Sequence, residues 1–228
     1  MPRVGSGRPW SASTSRTFRL RTGSPSVAGS GSPLRVGVLA LQGDVREHVR
    51  VLTGLGAEAT PVRRASELTG VDGLVIPGGE STVIDKLSRG FGLAEPIRDA
   101  RRRGMPMFGT CAGLILLADR IVDGISGQET FGGLDVTVRR NAFGSQLDSF
   151  ETDLDVPVVG PEPVHAVFIR APLVAETGPG ATPLAALGDG TVVAVEQGAV
   201  MGTSFHPEVT GESRFHRYFL EKVADAAG

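Results

Sequence analysis

From residue 35 onward, apolar positions recur in two rhythms. Residues 36–41 are a short apolar run, and over 44–55 Val45, His48, Val49 and Leu52 fall at helical spacing until Gly56 stops the pattern. Residues 59–62 and 73–76 read as two further strands. The second runs straight into Pro77-Gly-Gly-Glu-Ser-Thr82, a glycine-rich loop. A solvent-facing helix over 93–103 carries Arg98, Arg101, Arg102 and Arg103 and closes at Gly104. Its arginines are a solvated helix end, favoured by the dipole there. Residues 106–108 form the next buried strand, followed by Gly109-Thr-Cys-Ala-Gly113 and an apolar helix predicted over 114–122. Strands and helices alternating at this length predict a parallel sheet covered on both faces.

After Gly132 the rhythm shortens. Residues 134–140, 164–170, 192–196 and 200–205 read as strands, the last two joined around Gln197-Gly198, and they are expected to add mixed or antiparallel strands to the same sheet. A closing helix over 213–227 places Phe215, Phe219 and Val223 on one face, which packs back on the core. No internal repeat is present. The expected architecture is α/β, a three-layer sandwich around a central, mostly parallel, flavodoxin-like sheet.

Composition changes this picture at the N-terminus. Residues 1–33 hold five arginines, no acidic residue and much Ser and Gly, with neither rhythm, so they are expected to be disordered. Two sharper readings are an organellar transit peptide and a tail for an anionic partner. The plainer one is an unstructured extension or a start codon assigned too far upstream. Residues 34–228 form the globular domain. Taking the five arginines from the 23 basic residues leaves 18 against 25 acidic ones, so this body is acidic, with net charge −7. The whole chain carries only −2, which argues against a dedicated nucleic-acid binder. No apolar run approaches the roughly 18 residues a membrane-spanning helix needs. A single cysteine, Cys111, excludes an intrachain disulfide and multi-cysteine metal clusters, and it fits a reducing cytoplasm.

That cysteine sits where chemistry is made. Between a strand and a helix, with Gly109 and Gly113 around it, it matches a nucleophile elbow, a sharp bend that holds a side chain at the sheet's carboxyl edge. Amides at the N-terminus of the following helix favour the thiolate. Of the four histidines, His48, His165 and His216 read as structural. His206 differs, because Thr203-Ser-Phe-His-Pro-Glu208 follows a strand directly, and Glu208 can bend back to orient the ring. The glycines of Pro77-Gly-Gly-Glu-Ser81 can offer two backbone N–H donors, enough for an oxyanion hole, while the Lys and spacing of a phosphate-binding P-loop are missing.

In this order, Pro-Gly-Gly-Glu-Ser, Gly-Thr-Cys-Ala-Gly and Phe-His-Pro-Glu resemble the class I, triad-type glutamine amidotransferases. Further segments narrow the resemblance: Val38-Leu-Ala-Leu-Gln-Gly-Asp44 with Glu47-His48, Cys111-Ala-Gly-Leu-Ile-Leu-Leu-Ala118, Arg140-Asn-Ala-Phe-Gly144 with Ser149-Phe-Glu151, and Phe168-Ile-Arg-Ala-Pro172. Together these are similar to the glutaminase subunits of ribose 5-phosphate-dependent pyridoxal 5′-phosphate synthases. The likeness runs from about Arg35 to the C-terminus. Residues 1–33 are foreign to it, and residues 123–130 read as a variable loop.

The resemblance implies Cys111 as nucleophile, His206 as general acid and base, and Glu208 as its orienter. It implies Gly79, Glu80, Ser81, Arg140, Ile169 and Arg170 as contacts of L-glutamine, with the Gly79 and Ala112 amides as oxyanion donors. A guanidinium such as Arg140 suits the substrate's α-carboxylate. It further implies no cofactor and no metal, and a separate synthase subunit that receives the ammonia within a large ring-shaped assembly. Two alternatives stay open at this stage: a glutaminase subunit of histidine or anthranilate biosynthesis, and a catalytically silent glutamine-binding subunit.

Overall fold

The computed structural model describes residues 32–140 and 149–228. The reading of residues 1–33 therefore lies outside it up to residue 31, as does the Asn-Ala-Phe-Gly stretch after Arg140. The first half runs β1 (Arg35–Leu39), α1 (Val45–Gly54), β2 (Glu58–Val62), β3 (Gly73–Ile76), α2 (Ser81–Gly90), α3 (Ala94–Arg102), β4 (Met107–Thr110), α4 (Ala112–Leu117) and β5 (Ala118–Val122). The second half adds β6 (Leu134–Arg139), β7 (Phe150–Leu154), β8 (Val164–Phe168), β9 (Leu173–Thr177), β10 (Thr182–Ala186), β11 (Val192–Gln197), β12 (Val200–Thr203), α5 (Pro207–Thr210) and α6 (Arg214–Ala227).

One ten-stranded sheet has the order β2-β1-β3-β4-β12-β11-β9-β6-β5, with β10 paired to β11. The strands from β2 to β12 are parallel, and antiparallel pairing begins at β11. Alternation along each strand sorts side chains into two cores. In β3, Leu74 and Ile76 join α2, α3 and α4 on one face, while Val75 joins α1 and α6 on the other. Phe108 of β4 points to the second face, where Phe215 and Phe219 of α6 are fully buried beside it. This is the expected mostly parallel sheet with helices on both sides. Because both faces are covered, β3 and β4 are buried at every residue, which is why they read as unbroken apolar runs.

Three elements differ from the sequence reading. The predicted helix over 114–122 stops at Leu117, and residues 118–122 become β5, whose Ala118 pairs with Leu134 of β6. A short, wholly apolar run cannot be told from a buried strand by periodicity, and the β-branched Ile121 and Val122 tip the end of this one. The strand read over 164–170 ends at Phe168. It pairs only with β7, in a separate two-stranded sheet, so it does not extend the main one. The sequence reading named no helix between Thr82 and Leu93, where α2 stands.

Parallel register assembles the carboxyl edge. Thr110 pairs with Thr203, Gly109 with Ile76, and Val75 with Val38. The chain leaving β1, β3, β4 and β12 therefore emerges side by side, the location where open α/β sheets bind ligands.

Candidate active site

Cys111 occupies the bend between β4 and α4 with φ 50° and ψ −103°, outside the comfortable regions for a residue with a Cβ. Its N–H donates to Thr203 O at 2.8 Å, which holds the bend in place. The flanking glycines are required by contact. A Cβ on Gly109 would meet Gly113 C at 2.4 Å, and one on Gly113 would meet Ile76 O at 2.0 Å. The elbow is thus a consequence of sequence: only glycines allow α4 to lie this close to β3. With six residues, α4 is shorter than read, so its dipole contributes less to the sulfur than a full helix would.

The other partners converge from separate elements. His206 follows β12, and its N–H donates to Val167 O of β8 at 3.2 Å. Its Nδ1 lies 2.9 Å from Glu208 Oε1 and 3.5 Å from Asp44 Oδ2, leaving Nε2 for the Cys111 thiol, with which the ring shares a hydrogen bond. Burial favours the neutral ring, but hydrogen bonds to Asp44, Cys111 and Glu208 and attraction to the Cys111 sulfur outweigh it, raising the His206 pKa to about 12. Glu208 is fully buried. Burial would raise its pKa, yet attraction to His48 and hydrogen bonds from His206 and His48 hold it well below the usual carboxylate range.

A chain of polar groups continues beneath the triad. Thr110 Oγ1 is 3.4 Å from Glu208 Oε1, accepts the Gly78 N–H at 3.1 Å and lies 3.1 Å from His48 Nε2. His48 Nδ1 is 2.9 Å from His216 Nε2. His48 and His216 are completely buried and His165 is exposed between Glu151 and Asp153, so none of the three reaches the elbow. Asp44, His206 and Glu208 form the one group among the described residues whose donor atoms lie close enough, within 4.8 Å, to hold a metal. The Nδ1 that would ligate it already faces Glu208 Oε1 at 2.9 Å, which is orienting geometry.

The glycine-rich loop meets the turn after β1. Gln42 Oε1 accepts the Glu80 N–H at 2.6 Å, and a Cβ on Gly79 would strike that oxygen at 2.4 Å. Ser81 opens α2 and is buried, while Arg140 pairs with Glu80 at 2.8 Å. Ile169 and Arg170 sit just beyond β8, next to the strand residue that receives the His206 N–H. Both are exposed, and Arg170 adopts φ 45°. The structure thus gathers Gly79, Glu80, Ser81, Cys111, Ala112, His206 and Glu208 along one edge. Gln42, Asp44, Thr110 and His48 were not read as site residues. The available signal for Gln42 and Asp44 was their place directly after a parallel strand.

The fold is that of the class I glutamine amidotransferases. A solved structure titled as a crystal structure of glutamine amidotransferase has a TM-score of 0.78 at 50% identity, covering 83% of this chain and 98% of its own. The solved structure of PurLQS from Thermotoga maritima, 16% identical with a TM-score of 0.63, shares the fold alone over 86% of this chain and 99% of its own. The model of the SNO glutamine amidotransferase family matches residues 38–225, and the chain belongs to that family. A protein of Clavibacter sepedonicus named pyridoxal 5′-phosphate synthase subunit PdxT is 68% identical over 89% of this chain and 96% of its own length. One of the same name from Leifsonia xyli is 67% identical over 85% and 98%.

Proposed function

We propose that the chain hydrolyses L-glutamine to glutamate and ammonia as the glutaminase subunit of a pyridoxal 5′-phosphate synthase. The observation that carries this reading is the line from Cys111 through His206 to the buried Glu208, within a family whose relatives bear that subunit's name. The Cys111 thiolate attacks the side-chain amide carbon, and the Gly79 and Ala112 amides hold the resulting oxyanion. His206, protonated and steadied by Glu208, gives its proton to the departing ammonia, leaving a thioester on Cys111. Water deprotonated by His206 then releases glutamate and restores the thiolate. Glu80, Ser81, Arg140, Ile169 and Arg170 hold the amino-acid end of the substrate.

The ammonia passes to a separate synthase subunit, which condenses it with ribose 5-phosphate and glyceraldehyde 3-phosphate. Among the described residues no sugar-phosphate barrel is present, so that chemistry belongs to the partner, and the two subunits form a ring-shaped hetero-oligomer. Residues 34–228 form the glutaminase domain, and residues 1–33 an extension outside its chemistry. The lone cysteine suits work in the cytoplasm. Among the described residues no helix is long and apolar enough to cross a membrane. The test is ammonia release from glutamine by the purified chain, alone and with the cognate synthase subunit. Release stimulated by the partner is expected, and glutamine binding without ammonia in either condition would refute hydrolysis.

A further inference from the structure

The loop over 123–130 is largely exposed, yet side chains of α2 and α3 pin it at several points. Arg89 donates to Gly127 O at 3.2 Å while forming two 2.9 Å bonds to the buried carboxylate of Asp85. The second oxygen of that carboxylate also accepts the Glu129 N–H at 3.2 Å. Arg98 donates twice to Thr130 O, at 3.0 and 2.9 Å, and once to the Glu129 side chain at 2.8 Å. Backbone groups on both sides of residue 128 are therefore fixed by α2 and α3. Fixing a loop costs conformational entropy, and here the fixed residue points at the site.

Gln128 Nε2 donates to Ser81 Oγ at 3.1 Å, and its Oε1 accepts from Arg140 Nη1 at 3.1 Å. Arg140 Nη2 in turn donates to Glu80 Oε1 at 2.8 Å, and Glu80 precedes Ser81 in the chain. The four residues form a closed ring. The primary amide bridges the hydroxyl and the guanidinium from one planar group, donating to the first and accepting from the second. Without it, the ring joins Arg140 to Ser81 only through the side chain and backbone of Glu80.

We infer that Gln128 is a positioning residue that fixes Ser81 and Arg140 in the geometry that receives the α-amino and α-carboxylate groups of glutamine. This rests on the glutaminase reading above and adds a specificity element to it from a loop that the sequence marks only as variable. Because Gln128 acts on the amino-acid end and its side chain bonds to Ser81 and Arg140 rather than to Cys111 or His206, its loss alters substrate affinity and leaves the chemical step in place.

The test uses the full chain complexed with its synthase partner and follows ammonia release against glutamine concentration. Gln128→Met keeps the length of the side chain but removes both hydrogen bonds. It is expected to raise KM about tenfold with kcat within about twofold and an unchanged thermal midpoint. Gln128→Glu still accepts from Arg140, and the Ser81 hydroxyl can turn to donate to it, so KM should return to within about threefold of wild type. An unmoved KM in Gln128→Met, a fall in kcat at constant KM, or failure of Gln128→Glu to restore KM would each overturn the inference. A wild-type complex that releases no ammonia overturns the glutaminase reading and this inference together, whereas normal turnover with an unmoved KM in Gln128→Met overturns the inference alone.

Discussion

Two histidines lie close to opposite ends of one polar chain and are driven in opposite directions. His206, at the carboxyl edge, and His216, on α6 where it meets His48 of α1, are both buried, and burial alone lowers the pKa of either. Around His206, the Glu208 carboxylate, Asp44 and the Cys111 thiol reverse that effect and raise the pKa to about 12. Around His216, the neighbouring His48 adds repulsion, and the weaker attraction of Glu208 and a hydrogen bond with the Glu212 backbone leave the pKa near 3. His216 also packs edge-on against Phe108 at 5.4 Å. Burial therefore does not decide whether a histidine is chemical or structural. The nearest acceptor does: Glu208 Oε1 lies 2.9 Å from His206 Nδ1, whereas His216 is bonded to His48, whose Nε2 stands between it and the carboxylate at 3.5 Å from Oε1.

The most severe way to break the contrast is Cys111→Ala, which removes the partner that makes a protonated His206 useful. Ammonia release by the complex should fall by at least about 10⁴-fold, while synthesis by the partner supplied with free ammonia persists. Glu208→Gln keeps the shape but takes away the charge that orients His206. Measured kcat should drop by about 10²- to 10³-fold, and urea denaturation should show about 3 kcal/mol lost at pH 7, as for breaking a buried pair.

The pH dependence of that loss follows from the sign of the shift. Glu208 is held below its ordinary 4.5 in the folded state, so its contribution is present above that value and disappears as pH falls through and below it. The two histidines carry opposite windows. The contribution of His206 is complete below pH 6.5 and is lost as pH rises toward 12. At His216, the unfolded chain takes up a proton below 6.5 while the folded one resists until about 3, so stability falls across that window. His216→Leu should flatten the acid limb of a stability profile between those values. It should also cost about 1–3 kcal/mol near neutrality, by stranding His48 Nδ1, and change kcat no more than severalfold. The smallest effect belongs to His165→Ala. Its two carboxylate partners are exposed, and neither the thermal midpoint nor ammonia release should change measurably.

Much of the fold was legible because β1, β3 and β4 announce themselves as apolar runs and Gly56 and Gly104 stop their helices at positive φ. What escaped was decided by pairing across the chain. Residues 118–122 become strand only because Leu134 and its neighbours in β6 lie alongside, and 164–168 leave the main sheet because 150–154 supply a private partner. The candidate site divides the same way. Cys111, His206 and Glu208 stand in compact motifs with a chemical logic at short range. Thr110 and His48 are linked to Glu208 and to the glycine-rich loop, and Gln128 to Ser81 and Arg140, by hydrogen bonds that span 32 or more positions, or 12 in the case of Gln128 and Arg140, and no local pattern marks such links.

The contrast between the two histidines is tested most directly by following the imidazole nitrogen resonances of the uniformly ¹⁵N-labelled chain from pH 5 to 9. His206, assigned by its loss in His206→Gln, should remain in its protonated form throughout, and His216 should remain neutral. A His206 that titrates near 6.5 with the Cys111 thiol in place would contradict the account, because the Cys111, Glu208 and Asp44 side chains would then not be acting on it as one unit.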